Sequence, residues 1–535
     1  MSVPRLTRRS LLRATSASAA VSAAGAALAE PALGATTPAR AVSTSSVPAG
    51  AGRLFAELDA KIEAGMAAFA IPGAAVGVLY RGVEYLKGYG VTNVDYPTPV
   101  DPDTVFRIAS NTKTFTGTTV MRLVEAGSLD LDAPLARYLP DFRTADPTVA
   151  RHATMRTLLN HTPGWLGDDF LDTGPGDDAA ARYAAAMADD PQLTAPGTVF
   201  GYNNAALEIA GRVIEVVHHT TYEAAVRELV IDPLGLAHSR FFTDEIIGFN
   251  VAASHNVVDG KAVVDPDFFR VWRSIDAAGA LISSARDLLR WARFHLGDGT
   301  VPGGTTRLLS QRSLQAMRSH PGPGGTLFVE LDGVGITWML RPSAEGVRIV
   351  QHGGDWSGQH SGFLMVPDRG FAITLLTNSE GGPGLVDELF ADDWALRRFA
   401  GVSNLPAVPL MLTAAQLAPY EGVYVQQEIL PDGTLVSLPY EMTASNGELL
   451  VTVLGTPYVR LVFYRPDYVL VRGPGEEPTP IRANFVRGST GTVDWLRLGG
   501  RLARHQPPGA APTAPTAARS RPRIDGRHPY WVRPG

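Results

Sequence analysis

The sequence predicts a mixed α/β protein of the α+β kind. An antiparallel sheet flanked by helices comes first, and a small antiparallel β-barrel follows. Three observations carry this. Apolar residues at helical spacing over Arg53 to Phe69 run straight into a hairpin pattern. Three strand patterns recur late, at Val347 to Gln351, Phe363 to Val366 and Phe371 to Thr377. The last third then carries short apolar runs separated by Gly, Pro, Asn and Asp turns.

The chain has 535 residues, 45% hydrophobic and 19% charged, which is globular composition long enough for two or more domains. Its net charge of −6, with no dense basic stripe, argues against a nucleic-acid partner. It contains no cysteine, so disulfides, cysteine nucleophiles and thiolate metal sites are excluded.

Thr7-Arg8-Arg9-Ser10-Leu11-Leu12-Arg13 precedes an Ala-rich run, Ala14 to Ala29. A positive segment followed by a weakly apolar one is the pattern of an export signal, and the paired arginines resemble the twin-arginine type. The run is short and poor in Leu and Ile, so no stable membrane span is expected once the signal is removed. Residues 1–35 are read as this signal and 36–50 as a Ser/Thr/Pro/Ala-rich flexible leader. The expected localisation is secreted or extracytoplasmic.

The helix over Arg53 to Phe69 uses Leu54, Phe55, Leu58, Ile62, Met66 and Phe69 as one face. Ala75 to Tyr80 and Val83 to Tyr89 are the hairpin strands, turned by Arg81-Gly82.

Phe106-Arg107-Ile108-Ala109-Ser110-Asn111-Thr112-Lys113 follows, and reads as a loop entering a helix at Ser110. Residues at i and i+3 lie roughly 5–6 Å apart on one helix face, so Lys113 stands beside the Ser110 hydroxyl. A serine is a poor nucleophile until a base takes its proton. A lysine is that base only if burial and the positive helix N-terminus bring it down from about 10.4. Ser-x-x-Lys by itself equally describes a capped, solvated helix start. Phe115, Val120, Leu123 and Val124 give this helix a buried face, and Gly127 stands where a C-cap belongs. Met155 to Gly164 is read as a short helix ended by Pro163-Gly164, and His161 within it as structural.

Two further stretches carry polar groups in suggestive places. Tyr202-Asn203-Asn204 lies on a loop entering the helix Ala205 to Val216. A tyrosine there can relay a proton beside an ammonium, and Asn204 can hydrogen-bond a substrate amide. The same residues also serve as aromatic packing and an Asn N-cap. The strand from Val347 ends in His352-Gly353-Gly354-Asp355-Trp356, where a Gly-rich edge lets a substrate backbone approach. Between these, Ser274 to Ser284 reads as a small-residue loop before an amphipathic helix, Ala285 to Leu296.

Taken in order, Ser110-Asn111-Thr112-Lys113, Tyr202-Asn203-Asn204 and His352-Gly353-Gly354 resemble the three motifs of the serine beta-lactamase and penicillin-binding-protein superfamily. Tyr in the second motif is similar to the class C branch, and His in the third to the esterase and D-aminopeptidase relatives. The resemblance spans about Arg53 to Ala400. It implies a beta-lactamase/transpeptidase-like fold with an all-helical subdomain. It also implies an acyl-enzyme on Ser110, with Lys113 and Tyr202 sharing the acid and base roles. His352 completes the implied catalytic set, and Asn204, Gly354 and Asp355 the substrate-binding set. The backbone N–H of Ser110 and one on the His352–Asp355 strand would form the oxyanion hole. No metal and no cofactor is implied. The neutral His352, replacing a lysine that helps hold the beta-lactam carboxylate, points to esters, amides or D-amino-acid peptides. The implied function is a secreted serine hydrolase acting on a small-molecule or peptide substrate. A penicillin-binding receptor, a D,D-carboxypeptidase and a peptide cyclase of the same superfamily are the alternatives.

Residues 51–402 are read as this hydrolase domain and 403–411 as a linker. Residues 412–505 resemble the lipocalin-like barrel appended to some members, with strands at Tyr440 to Thr443, Leu449 to Leu454, Val459 to Tyr464 and Tyr468 to Arg472. The Pro-, Ala- and Arg-rich tail, 506–535, is read as disordered. The sequence leaves the oligomeric state open.

Overall fold

A computed structural model describes residues 50–267, 271–473 and 478–506. The twin-arginine signal, the leader up to residue 49 and the tail beyond Gln506 lie outside the described residues. Gln506 itself closes the last strand.

Helix α1 (Ala51–Ala68) leads into strands β1 (Gly73–Tyr80) and β2 (Val83–Gly90). Arg81 and Gly82 both take positive φ, 51° and 81°, which is the geometry a two-residue hairpin turn requires. After β3 (Val105–Arg107) the chain enters α2 (Thr112–Glu125), which ends with Gly127 at φ 73°, as the sequence suggested. Short helices Met155–Leu159, Ala179–Ala186 and Tyr222–Val226 surround α3 (Asn204–His218) and share one apolar core with α2. This is the helical subdomain.

The stretch expected as a plain loop, Ser274 to Ser284, instead forms a helical turn, Asp276–Gly279, and the strand β4 (Ile282–Ser284) paired to β3. Its small residues fit because it is packed tightly beneath α2 and α3, not because it is loose. Helix α4 (Ala285–Leu296) follows.

Strands β5 (Gly333–Val334), β6 (Met339–Arg341), β7 (Ile349–Trp356), β8 (Gln359–Val366) and β9 (Phe371–Thr377) complete a seven-stranded sheet, ordered β2-β1-β9-β8-β7-β6-β5. Every pairing is antiparallel. Alternate residues point to opposite faces. Val76, Val78, Leu364, Ile373 and Leu375 pack against α1, α5 (Gly382–Val386) and the helical residues up to Ala400. Ala75, Phe363, Met365, Ala372 and Leu376 join the core containing α2 and α4. Burial on both faces is why Phe371 to Leu376 reads as an apolar run broken only by Thr374.

Eight strands then close into a barrel: β10 (Gly422–Ile429), β11 (Leu435–Ser445), β12 (Glu448–Val453), β13 (Thr456–Arg465), β14 (Tyr468–Arg472), β15 (Pro478–Arg487), β16 (Val493–Leu498) and β17 (Arg501–Gln506). Tyr424 facing His505 marks the closure of β10 on β17. The barrel docks beside the stretches that carry Asp168 and Tyr202. Ile429 N–H donates to Asp168 O at 2.8 Å, Phe170 N–H to Ile429 O at 2.9 Å, and Tyr202 N–H to Gly500 O at 2.8 Å. A buried ion pair, Glu330 with Arg482 at 2.5 Å, fastens the other side.

Candidate active site

Ser110 lies on a 3₁₀ turn, Ala109–Asn111, rather than in the α-helix itself, which starts at Thr112. Ala109 sits at φ 46°, a left-handed conformation that costs a non-glycine residue energy and here aims the next side chain. The turn is held from the sheet. Ser361 Oγ donates to Ile108 O at 2.7 Å and accepts from Asn111 Nδ2 at 2.7 Å. Gly354 of β7 passes so close that a Cβ there would lie 2.1 Å from Ile108 O and 2.9 Å from Ser110 N. Glycine at that position is a packing requirement.

Lys113 is fully buried, and its Nζ donates to Ser110 Oγ at 3.0 Å, Asn204 Oδ1 at 2.8 Å and Ala278 O at 2.8 Å. Burial brings the amine down to about 7; Arg501 lowers it further, while Glu208 and Asp168 oppose the shift. The lysine is therefore poised between ammonium and amine near neutrality.

Helix α3 supplies both supports of that lysine. Asn203 caps it, accepting from Ala206 N–H at 2.8 Å, which puts Asn204 at its first turn. The Asn204 amide bridges Lys113 to Asp168 Oδ1 at 2.8 Å. Its second N–H remains for a substrate. One turn along, buried Glu208 accepts the N–H groups of Ala278 at 2.8 Å and Ala277 at 3.3 Å, holding the loop whose Ala278 carbonyl receives the lysine.

Tyr202 is buried beside both cations. Lys113 Nζ lies 5.1 Å, and the Arg501 guanidinium 4.8 Å, from its ring centroid. Burial pushes its hydroxyl up, and a hydrogen bond with Ser110 and the charge of Arg501 only partly reverse this, so it is a phenol at neutral pH. His161 stacks on the Tyr202 ring at 4.6 Å, with Nδ1 accepting from Asn203 N–H at 3.0 Å. That is a packing role, as the sequence suggested.

His352 is 2% exposed. Its Nδ1 lies 2.7 Å from Gly353 O, and its Nε2 has no hydrogen-bond partner among the described residues. Burial and the charge of Lys113 bring the ring down to about 3, so it is neutral. On the side of β7 away from β8, Met339 to Arg341 pair with Ile349 to Gln351, and among the described residues no strand pairs with the edge from His352 to Trp356. A cavity of about 210 Å³ opens along this edge, with Ser110, Tyr202, Asn204, His352, Gly354 and Asp355 on its walls. All the sequence-predicted site residues except buried Lys113 line it, and Lys113 reaches it through Ser110 and Asn204.

Sequence reasoning missed Asp168, Glu208 and Arg501. Arg501 comes from β17 of the barrel, lines the cavity, and donates from Nε to Asp168 Oδ2 at 2.9 Å. The only signal was Leu498-Gly499-Gly500-Arg501, which marks a hairpin turn and says nothing of chemistry.

The beta-lactamase family model matches residues 58–396. Penicillin-binding protein 4 of Amycolatopsis lactamdurans is 37% identical over 365 residues, covering 67% of this chain and 94% of that protein. The crystal structure of SurE superposes with a TM-score of 0.67 at 29% identity, covering 85% of this chain and all of SurE. The structure of SurE with D-Leu gives 0.66 at 30%, with the same coverage. The octameric penicillin-binding protein homologue from Pyrococcus abyssi shares the fold, at TM-score 0.55 and 23% identity over 81% of this chain and 96% of that one. Motif geometry, family model and a relative spanned almost end to end agree: this chain belongs to the beta-lactamase family.

Proposed function

We propose that this protein is an exported serine hydrolase that cleaves an ester or amide, with D-amino-acid peptides as its preferred class, through an acyl-enzyme on Ser110. The observation that carries the proposal is Lys113 Nζ at 3.0 Å from Ser110 Oγ, with burial holding the amine near neutrality. The neutral amine takes the Ser110 proton as Oγ attacks the carbonyl. The N–H of Ser110 and one on the β7 edge receive the oxyanion, a contribution of about 3–4 kcal/mol per donor. Tyr202, a phenol, delivers a proton to the leaving group, and Lys113 restores it. Water then attacks the acyl-enzyme and frees Ser110. Neutral His352 and nearby Asp355 offer a substrate carboxylate little, which favours esters and amides over beta-lactams. SurE, a relative at 30% identity, has been crystallised with D-Leu, which supports the choice of a D-amino-acid substrate. Export rests on the paired arginines at Arg8 and Arg9.

The relative named penicillin-binding protein 4 supports a second reading, a penicillin receptor or D,D-carboxypeptidase. One experiment separates them. Wild-type and Ser110→Ala proteins are incubated with a p-nitrophenyl short-chain ester, D-alanine p-nitroanilide and a fluorescent penicillin, following turnover and intact mass. The hydrolase reading expects Ser110-dependent ester or anilide turnover with no lasting adduct. A stable penicillin adduct on Ser110 without turnover establishes the receptor reading. Turnover that survives Ser110→Ala overturns both.

A further inference from the structure

The cavity does not stop at the reacting face of the sheet. In β7, His352 and Gly354 point towards Ser110, while Asp355 and its cross-strand neighbour His360 point to the opposite face, beneath α5. Because the edge of β7 is open here, the cavity wraps around it. Its far wall is built from Pro383, Val386, Asp387, Phe390 and Asp355. One ligand lying across the edge can therefore touch the nucleophile on one side and this wall on the other.

That wall is acidic, and the imidazole within it, His360, is engaged by Asp355. Asp387 makes no side-chain hydrogen bond or ion pair among the described residues. Asp355 Oδ1 is 2.9 Å from His360 Nδ1, and the other ring nitrogen faces Glu380 at 3.9 Å. The cation on this wall, Arg341, is spent elsewhere: its guanidinium donates to Phe390 O at 2.8 Å and Gln351 Oε1 at 3.2 Å. Arg501, at the other end of the cavity, is spent on Asp168. Burial and the charge of Asp355 push the Asp387 carboxyl up to about 7, with His360 opposing; that imidazole already lies against Asp355, so Asp387 is left without an ion-pair partner among the described residues. A second feature points to a ligand in the same cavity: on its reacting face, His352 Nε2 is buried and without a hydrogen-bond partner among the described residues.

We propose that Asp387, with Asp355, forms an ammonium subsite of the active site, so that the ligand is one whose primary amine lies close to the bond made or broken at Ser110. This rests on the hydrolase reading above and names its substrate class more closely. The amine belongs either to the acyl donor, as the free α-ammonium of a D-amino-acid derivative, or to a second molecule that intercepts the acyl-enzyme. In the latter case the ammonium gives up two protons as its nitrogen bonds the acyl carbon and the Ser110 Oγ–carbonyl bond breaks: one passes through Lys113 to the departing Ser110 Oγ, and the other goes to solvent.

Binding tests the subsite without chemistry. Calorimetry on the Ser110→Ala protein at pH 8 compares D-leucinamide with N-acetyl-D-leucinamide. D-leucinamide is expected to bind, and either acetylation or Asp387→Asn to weaken it about tenfold or more. Equal binding of the acetylated ligand, no loss in Asp387→Asn, or no binding of D-leucinamide to the protein overturns the subsite. Ester turnover by the wild-type protein reports on the hydrolase reading separately. With p-nitrophenyl acetate as donor, N-acetyl-D-leucinamide appearing in the mass spectrum assigns the subsite to an acceptor amine. Competitive inhibition by D-leucinamide without that product assigns it to the acyl donor.

Discussion

Arg501 and Asp168 are 333 residues apart in the chain and form a buried ion pair at 2.9 Å within the active site. Through Asp168 and Asn204 the pair reaches Lys113, so the appended barrel is coupled to the base proposed for Ser110. The barrel is thus part of the site's electrostatics, in addition to any role in shaping its mouth.

Removing Arg501 should move the pH profile. Its positive charge helps keep Lys113 down. In Arg501→Met that help is lost, and Asp168 stands uncompensated, which favours the ammonium further. The acidic limb of kcat/KM for a p-nitrophenyl ester should therefore move to higher pH, with Arg501→Lys returning it part of the way. An unmoved limb would show that the barrel arginine is merely structural.

In the wild-type protein the same profile should rise through about pH 7, where Lys113 loses its proton. The sign follows from the role: the amine is the base, so activity falls as the ammonium forms below that pH. Tyr202 is pushed upward by burial and stays a phenol, so it adds no descending limb between pH 7 and 9. Lys113→Ala and Tyr202→Phe should each lower kcat roughly 10²–10⁴-fold. Rates independent of pH from 5 to 9 would count against this assignment.

Gly354→Ala places a methyl group where Ile108 O and Ser110 N already are. We expect β7 to be displaced from the nucleophile turn, with a loss of about 1–3 kcal/mol of stability and a greater loss of ester turnover. Thermal unfolding measured beside kcat/KM checks both. Gly248→Ala, where a Cβ meets no described atom within 4 Å and where φ, as at Gly354, is not positive, is the control for loss of a glycine.

Glu330 and Arg482 are both under 8% exposed, and the bond between them crosses from barrel to catalytic unit. Arg482→Met leaves the buried carboxylate with the half-exposed Arg465 and the Tyr464 hydroxyl, and should cost about 1–3 kcal/mol. Denaturant unfolding checks this. Glu330→Gln together with Arg482→Met should recover part of the loss, because the buried carboxylate charge is gone while the Tyr464 hydroxyl keeps its acceptor.

The elements of this fold were legible where the physics is local. Phe55, Leu58 and Ile62 declare one face of α1 by their spacing, and Arg81-Gly82 declares its turn. Ser110 and Lys113 come together because three residues make nearly one helical turn, and a Gly-Gly pair on an edge strand is visible from composition alone. The start of α2 was placed two residues early, at Ser110, since a strained Ala109 and a 3₁₀ turn leave no mark in hydrophobic periodicity.

What the sequence determined by itself, then, is which residue types meet over short distances: the Ser110–Lys113 pair, the strands and their turns. What only the tertiary structure decided is what surrounds them. Whether Lys113 is an amine depends on burial under α3 and the 276–280 loop. Whether Asn204 faces a substrate or the lysine depends on Asp168. Which cations complete the site depends on where the barrel docks. Electrostatic energies in a poorly solvated pocket fall off with distance in space, not along the chain, and Arg501 shares that pocket with Ser110 only once both units have folded against each other.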